Sequence, residues 1–301
     1  KHTMPYHSIV LAKQVPDTTD VSPKAMKKDG TLNRSALPAV FNKDDLHALE
    51  MALQVKENYG GSVTVITMGP PMASGILREA LYRGADRAIL LTDRRFAAAD
   101  TLATSYTLGA AIKKAGTFDL IFCGREASDG NTAQVGPQIA EKLGIPQVTY
   151  VEKICDLKDG LLEVEHLVDS GYERVRAPLP LLLTVMPDCN EPRPSAAKRL
   201  MRFKKALSPA EVTNSMRGKA DLASTPDAVC QDLKERGLLI TEWNAQDLNI
   251  EPEQTGRSGS PTWVKKIERV VLTSTDHKTY PPTDEGVHQL MQELIDDHTF
   301  G

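Results

Sequence analysis

Short apolar or β-branched runs alternate with segments of helical spacing through the first half of the chain. The runs lie at Ser8–Val15, Ser62–Met68, Arg87–Leu91, Asp119–Cys123 and Gln147–Val151. Between them, apolar residues recur every three or four positions in Asp45–Asn58, Pro71–Arg83 and Asp100–Ala115. This rhythm predicts right-handed crossovers and an α/β fold, with a doubly wound, mostly parallel sheet covered on both faces.

The pattern changes after residue 150. Asp156–Gly160 predicts a hairpin turn between Val151–Cys155 and Leu161–Val168. A further pair of strands is expected at Tyr172–Ala177 and Leu179–Val185. We expect all of these strands to be antiparallel additions to the sheet.

The C-terminal part is shorter and more broken. It predicts a helix at Pro226–Glu235, an irregular patch at Thr255–Thr262 and a last helix at Thr283–Asp297. We expect a nucleotide-binding-like α/β domain over residues 1–215, including a polar, basic loop at 190–208. Residues 216–301 are expected to form an extended arm that packs on something else.

Composition and charge exclude several classes of protein. The 301 residues carry a net charge of −4, which argues against a general nucleic-acid binder. No apolar run approaches the roughly 18 residues that a membrane span needs, and the run at Ile9–Ala12 is too short for a signal peptide. The four cysteines lie far apart without a CxxC pair, which fits neither zinc nor disulfides. These features predict a cytoplasmic protein.

Four loops follow predicted strands or begin predicted helices. Doubly wound sheets bind ligands outside the carboxyl ends of their strands. The candidate loops are Lys13–Asp20, Asn42–Asp45, Gly69–Pro71 and Gly124–Pro137.

The fourth loop is the strongest candidate. Gly124 and Gly130 permit sharp turns, and Asn131 and Thr132 are expected to cap the next helix. A helix N-terminus with free N–H groups suits phosphate. Beside it, Asp129 and Gln134 can hydrogen-bond ribose hydroxyls or an adenine edge. The alternative is that this loop is only a capped strand–helix turn.

Standard catalytic and nucleotide motifs are missing. The sequence has no GxGxxG after its first strand, no GxxxxGK[ST], no HExxH and no GxSxG. The seven histidines are scattered, so we expect no metal site. No residue is assigned as a general acid, general base or nucleophile.

A basic run at Lys198–Lys205 has two interpretations. It is either a solvated helix face or a docking surface whose apolar residues seat in a partner. The prolines of Asn190–Pro194 precede it, which favours a stiffened, projecting loop.

Six stretches in order carry a resemblance to a known family. They are Val10–Asp17, Phe41–Glu57, Gly69–Pro70, Ala80–Leu90, Asp129–Pro137 and Asn190–Lys205. Together they resemble the β subunit of electron-transferring flavoproteins. The resemblance covers about residues 8–208, and GSPTWVKK at Gly259–Lys266 extends it into the tail.

The resemblance implies a domain that pairs with a homologous α subunit, on which the C-terminal arm would pack. The α subunit carries an electron-shuttling FAD. The pocket of the β subunit holds AMP in one branch and, in the other, a second FAD that oxidises NADH and bifurcates the electron pair. The implied cofactor-binding residues are Leu11, Lys13, Asn42, Asp45, Met68, Arg125, Ala127, Asp129, Gly130, Asn131, Thr132, Gln134, Val135 and Pro137.

The loop Asp129–Pro137 resembles the bifurcating branch. Gly130 and Thr132 leave more room for a ligand longer than AMP, so we expect the ADP half of FAD here. One electron would pass to ferredoxin or flavodoxin, and the other through the α-subunit FAD to a flavin dehydrogenase. The alternatives are an AMP-holding, passive electron carrier and an ATP-using adenylating enzyme. The latter would need a Gly-rich loop where the chain has Lys13–Asp17.

The family also docks its dehydrogenase through the loop after NEPR, often with an anchoring leucine. The expected docking residues here are Arg193, Ala197, Leu200 and Met201. Ala197 stands at the position nearest the family's leucine, which leaves open an acyl-CoA or a 2-hydroxyacid (lactate-type) dehydrogenase. Residues 219–250 resemble an insertion, for which a partner contact is one possible use.

Overall fold

The computed structural model describes residues 5–17, 37–217, 225–262 and 278–296. The described residues up to 262 belong to one compact unit, and residues 278–296 belong to a second. Within these ranges no helix is long and apolar enough to cross a membrane.

The described residues of the first unit form eleven strands and seven α-helices. The strands are β1 (Tyr6–Leu11), β2 (Gln14–Pro16), β3 (Ala39–Phe41), β4 (Gly61–Met68), β5 (Arg87–Leu91), β6 (Leu120–Gly124), β7 (Gln147–Lys158), β8 (Leu161–Val168), β9 (Gly171–Pro178), β10 (Leu181–Val185) and β11 (Thr241–Trp243). The helices are α1 (Lys43–Tyr59), α2 (Ser74–Arg83), α3 (Thr101–Ala115), α4 (Val135–Leu143), α5 (Ala197–Phe203), α6 (Pro209–Met216) and α7 (Pro226–Glu235). The second unit contributes α8 (Asp284–Asp296).

Nine strands form one sheet in the order β11-β5-β4-β1-β6-β10-β7-β8-β9. Every neighbouring pair from β11 to β7 is parallel, and β7, β8 and β9 are antiparallel. Strands β2 and β3 form a separate antiparallel ribbon. The predicted mostly parallel α/β sheet with antiparallel additions is confirmed.

The expectation for Leu179–Val185 is wrong. This segment supplies β10, which lies between β6 and β7 in the parallel part of the sheet, with Leu183 opposite Phe122. All five residues of β10 are buried. A short strand that is buried on both faces has no polar alternation, and such runs are typical of parallel sheets.

Helices cover both faces of the sheet. Alternate residues of β1 face opposite sides: Val10 packs with Leu49 of α1 and Leu77 of α2, whereas Ile9 packs with Ile112 of α3. Helix α4 joins α3 on that second face. Parallel pairing places the carboxyl ends of β1, β4, β6 and β10 along one edge of the sheet, and burial on both faces stabilises this arrangement.

Part of the predicted arm belongs to the sheet. The helix expected at Pro226–Glu235 is confirmed, and β11 extends the sheet beside β5. The segment that follows is fixed by hydrogen bonds from the Ala245 N–H to Asp93 (3.1 Å) and from the Thr262 N–H to Asp100 (3.1 Å). The boundary at residue 215, the packing of the arm on a partner and a partner contact for residues 219–250 stay predictions.

Candidate functional site

A buried carboxyl group joins the ends of two parallel strands. Asp45, in the first turn of α1, accepts the Lys13 N–H at 2.8 Å after β1 and the Gly124 N–H at 2.9 Å at the end of β6. Burial is the largest influence on this carboxyl group and raises its pKa to about 7, against the two N–H donors, which lower the pKa. Asp45 therefore fixes the loop that leaves β6 relative to the end of β1.

Gly124 allows this approach because it has no side chain. A Cβ atom here would lie 2.5 Å from the Cβ of Asp44 and 2.7 Å from Oδ1 of Asp45. The loop after β6 can pass the start of α1 only with glycine at this position.

Asn42 makes the second connection between α1 and the loop. Its Nδ2 donates to the Glu126 carbonyl at 2.8 Å, and its Oδ1 accepts the Ser128 N–H at 3.2 Å. Its own N–H donates to the Lys13 carbonyl at 3.0 Å. Asn42 is buried, so each of these polar groups is partnered within the fold.

The loop turns through its own backbone. The Ala127 carbonyl accepts the N–H groups of Gly130 and Asn131, at 3.1 and 2.9 Å. Two residues of the loop, Asn131 and Ala133, have a left-handed backbone conformation, with φ of 48° and 52°. A Cβ atom on Gly130 would meet nothing within 4 Å, so this glycine leaves open space beside the loop.

The expected capping by Asn131 and Thr132 is wrong. Helix α4 begins at Val135 with Gln134 as its N-cap residue, and no side chain caps it. The Asn131 amide donates instead to Glu126 at 3.2 Å, and Gln134 accepts from the Thr101 hydroxyl at 2.9 Å. The first-turn N–H groups of α4 are therefore left without a side-chain cap, which is the arrangement that suits an anion.

The remaining sequence-predicted residues lie around this loop. Lys13 pairs with Asp129 at 2.7 Å, which ties the segment after β1 to the tip of the loop. Leu11 is buried at the end of β1, and Met68 and Val135 pack against the same apolar cluster as Leu11. Pro137 stands in the first turn of α4.

Arg125 and Asp44 form an incompletely satisfied pair. Arg125 Nε lies 3.8 Å from Asp44 Oδ2, and both atoms are buried without a hydrogen-bond partner. The other end of the guanidinium donates to Glu126 Oε1 at 2.9 Å. Burial raises the pKa of Asp44, while the charge of Arg125 lowers it.

A cavity of about 280 Å³ opens beside this pair. It is lined by Arg125, Glu126, Ala133, Tyr150, Leu167 and Met186. The sequence-based prediction included Asp44 only as part of the candidate loop Asn42–Asp45, and it missed Tyr150, Leu167 and Met186. Tyr150 has a left-handed φ of 57° and 40% exposure, which is unusual for an aromatic residue in a strand.

The expected docking residues divide into two groups. Arg193 is held within the chain, because its Nε donates to Glu50 of α1 at 2.8 Å and its guanidinium also pairs with Glu57. Leu200 and Met201 are 38% and 62% exposed on α5, and Ala197 is exposed on the same helix. A role in docking stays a prediction for all four residues.

Similarity to known proteins identifies the family of the chain that carries this site. Residues 29–209 match the family model described as an electron transfer flavoprotein domain. The electron transfer flavoprotein subunit beta of Clostridium acetobutylicum is 41% identical over 290 residues, which cover 96% of this chain and 98% of the relative. The chain belongs to the electron transfer flavoprotein β-subunit family.

Two further relatives have names that refer to complexes. The caffeyl-CoA reductase–Etf complex subunit CarD of Acetobacterium woodii is 44% identical over 257 residues, 85% of each chain. The acryloyl-CoA reductase electron transfer subunit gamma of Anaerotignum propionicum is 39% identical over 300 residues, 96% of this chain and 98% of the relative. The resemblance seen in the sequence is thus confirmed for the β-subunit family.

The contact at Gly124 predicts a specific loss of stability. Gly124→Ala is expected to lower the free energy of unfolding by about 1–3 kcal/mol, because its methyl group overlaps Asp44. Denaturant titration measures this change. Gly130→Ala is the matched control and should stay within about 0.5 kcal/mol of wild type; equal losses in the two variants would contradict the overlap.

The pKa of Asp45 predicts how a substitution depends on pH. Asp45→Asn replaces one acceptor oxygen by a donor and leaves a buried N–H of Lys13 or Gly124 unpaired, at about 1–3 kcal/mol. Between the ordinary pKa of 3.8 and about 7, folded Asp45 holds a proton that the unfolded chain has lost. The unfolding free energy of the wild type therefore gains a contribution that falls as pH rises through this window.

The asparagine variant lacks that contribution. Its deficit in unfolding free energy should be largest near pH 4 and should shrink toward pH 7. Denaturant titrations of both proteins across this range provide the measurement. A deficit that stays constant, or that grows with pH only near pH 4, would mean that folded Asp45 is ionised throughout this range.

Proposed function

We propose that this chain is the β subunit of an electron-bifurcating electron transfer flavoprotein. Its loop after β6 would bind the ADP half of an FAD whose ring system is reduced by NADH. One electron would leave to ferredoxin or flavodoxin. The other would pass through the FAD of an α subunit to a partner flavin dehydrogenase.

The unsatisfied atoms of Arg125 and Asp44 are the observation that carries this proposal. Buried polar atoms without partners cost stability unless a ligand supplies the missing hydrogen bonds. Arg125 Nε needs an acceptor, and an ionised Asp44 Oδ2 needs a donor. A hydroxyl group provides both at once, as do the ribityl and ribose hydroxyls of a dinucleotide.

The shape and charge of the loop agree with such a ligand. The uncapped start of α4 offers N–H groups to a diphosphate, and Gly130 borders open space. Lys13 would add a positive charge near the phosphates, where it now pairs with Asp129. The apolar part of the 280 Å³ cavity, from Ala133, Leu167 and Met186, suits a planar ring.

When bound, FAD would accept hydride and transfer single electrons, which amino-acid side chains do not do. The chain would bind and orient it. Asp45 and Asn42 hold the loop in place, Arg125 presents a positive charge beside the cavity, and Tyr150 borders the cavity. No proton transfer is assigned to a side chain of this subunit.

The names of the relatives support a partner dehydrogenase of the acyl-CoA type. Two of them are named as subunits that serve a caffeyl-CoA and an acryloyl-CoA reductase. A 2-hydroxyacid dehydrogenase remains the alternative partner. Leu200 and Met201, exposed on α5, are the proposed apolar contacts, and Arg193 would hold their segment against α1.

Nucleotide content separates bifurcation from the passive alternative. The chain is co-expressed with its α subunit, the purified heterodimer is denatured with acid, and the released nucleotides are identified by chromatography. We expect two FAD and no AMP per heterodimer, followed by NADH-dependent reduction of ferredoxin. One FAD with one AMP would reject bifurcation and leave a passive electron carrier.

Arg125 is predicted to tune the bound flavin. Arg125→Ala removes a positive charge beside the cavity, so reduction, which adds negative charge, becomes less favourable. We expect a more negative potential for the flavin of this subunit or weaker binding of it, measured by redox titration and by FAD retention on dilution.

Two variants control this experiment. Arg125→Lys keeps the positive charge, so the reduction potential of the flavin should stay close to the wild-type value. Arg174→Ala removes an arginine from the exposed hairpin of β8 and β9 and should change neither property. Unchanged potential and affinity in Arg125→Ala would dismiss the assigned role.

A further inference from the structure

A second cavity lies away from the loop after β6. Its volume is about 560 Å³, and its lining comes from α3, the last turn of α4 and the segment 247–250. Sites for small molecules commonly measure roughly 300–1,000 Å³. This cavity is lined by none of the residues proposed to bind the nucleotide at the loop after β6 and by none of the proposed docking residues.

Three lysines line this cavity from two different helices. Lys113 and Lys114 stand in the last turn of α3, and Lys142 stands in the last turn of α4. Among the described residues none of the three forms an ion pair. The one carboxylate in the lining, Asp247, accepts the Asn244 N–H at 2.9 Å. The cavity is therefore strongly positive.

Aromatic rings hold two of these lysines. The Lys142 ammonium lies 5.8 Å from the centre of the Tyr106 ring, and Lys114 lies 5.4 Å from the centre of the Trp243 ring. Cation–π contacts of this length restrict where the ammonium groups can point. Lysines in a last helical turn also complement the helix dipole, but that effect does not require them to line one cavity.

The walls of the cavity are built by packing. Leu248 is 8% exposed and packs in the core cluster beneath α3, and the Glu251 N–H donates to the Tyr106 hydroxyl at 3.3 Å. On α3 itself, the small residues Gly109 and Ala110 line the cavity without filling it. A Cβ atom on Gly109 would meet only Lys142, at 3.9 Å, so packing does not demand glycine there.

We propose that this cavity binds a small phosphate-bearing anion of about the size of a nucleoside diphosphate. Three ammonium groups without an ion-pair partner in the described part of the chain match the charge of a diphosphate, and the concave, partly apolar wall matches a small molecule. Thr101 hydrogen-bonds Gln134 at the end of the loop after β6. Along α3, Thr101 lies about 18 Å from Lys113. The two ligands would therefore bind at opposite ends of that helix.

The test uses the heterodimer loaded with its own nucleotides. Titration calorimetry with inorganic pyrophosphate and with ADP should show binding that weakens as salt is raised. The double variant Lys113→Glu/Lys142→Glu should lower the affinity for both probes at least tenfold. Its released nucleotides should match those of the wild type, which separates this site from the loop after β6.

Two further variants make the result decisive. Ala110→Leu fills the cavity floor without changing charge and should also weaken binding, whereas Lys153→Glu/Lys158→Glu changes the same charge on β7 and should not. Tighter binding of ADP than of pyrophosphate identifies a nucleotide, and equal binding identifies a free inorganic phosphate. The proposal is overturned if neither probe binds the wild type, or if charge reversal at Lys113 and Lys142 leaves affinity unchanged.

Discussion

The carboxyl group of Asp45 connects the parts on which the candidate site depends. It accepts one backbone N–H at the end of β1 and another at the end of β6, two neighbouring strands of the parallel sheet. Sheet pairing aligns these strands but does not direct the loops that leave them. Asp45 does so, and Gly124 lets α1 approach closely enough for the bonds to form. The position of the whole loop from Arg125 to Gln134 follows from this contact and from Asn42.

Helix α1 also connects the site to the proposed docking segment. Its N-terminal end holds the loop after β6 through the N-cap residue Asn42 and through Asp45, and its later turns hold the chain after β10. His47 hydrogen-bonds Asn190 at 3.1 Å, and Glu50 hydrogen-bonds Arg193 at 2.8 Å. One rigid helix thus fixes both segments.

The sequence alone predicted those features of the fold and of the site that follow from a local pattern. The alternation of apolar runs and helical spacing predicted the parallel sheet, and the strand-end rule selected the loops that meet at Asn42, Asp45 and Lys13. It failed at β10, because a five-residue buried strand between two prolines carries no alternation to reveal its neighbours. That error also concealed Met186, which follows β10. Asp44 lies in a selected loop but was not singled out, and Tyr150 was missed. Their importance comes from a contact with Arg125 and from an unusual backbone angle, neither of which a sequence pattern reports.

The two acidic residues at the start of α1 show which electrostatic effect dominates at this site. A carboxylate in the first turn of a helix gains typically 0.3–1 kcal/mol from the helix dipole, which lowers its pKa by less than one unit. The pKa of Asp45 instead rises from 3.8 to about 7, a change of roughly 4 kcal/mol in the opposite direction. Burial therefore outweighs both the dipole and the two N–H donors. Near neutral pH such a carboxyl group carries only part of its charge, which would reduce its repulsion of the phosphate that is proposed to bind at the start of α4. A fully ionised Asp45 would accept the two N–H groups more strongly, but it would repel the phosphate that the loop is proposed to bind.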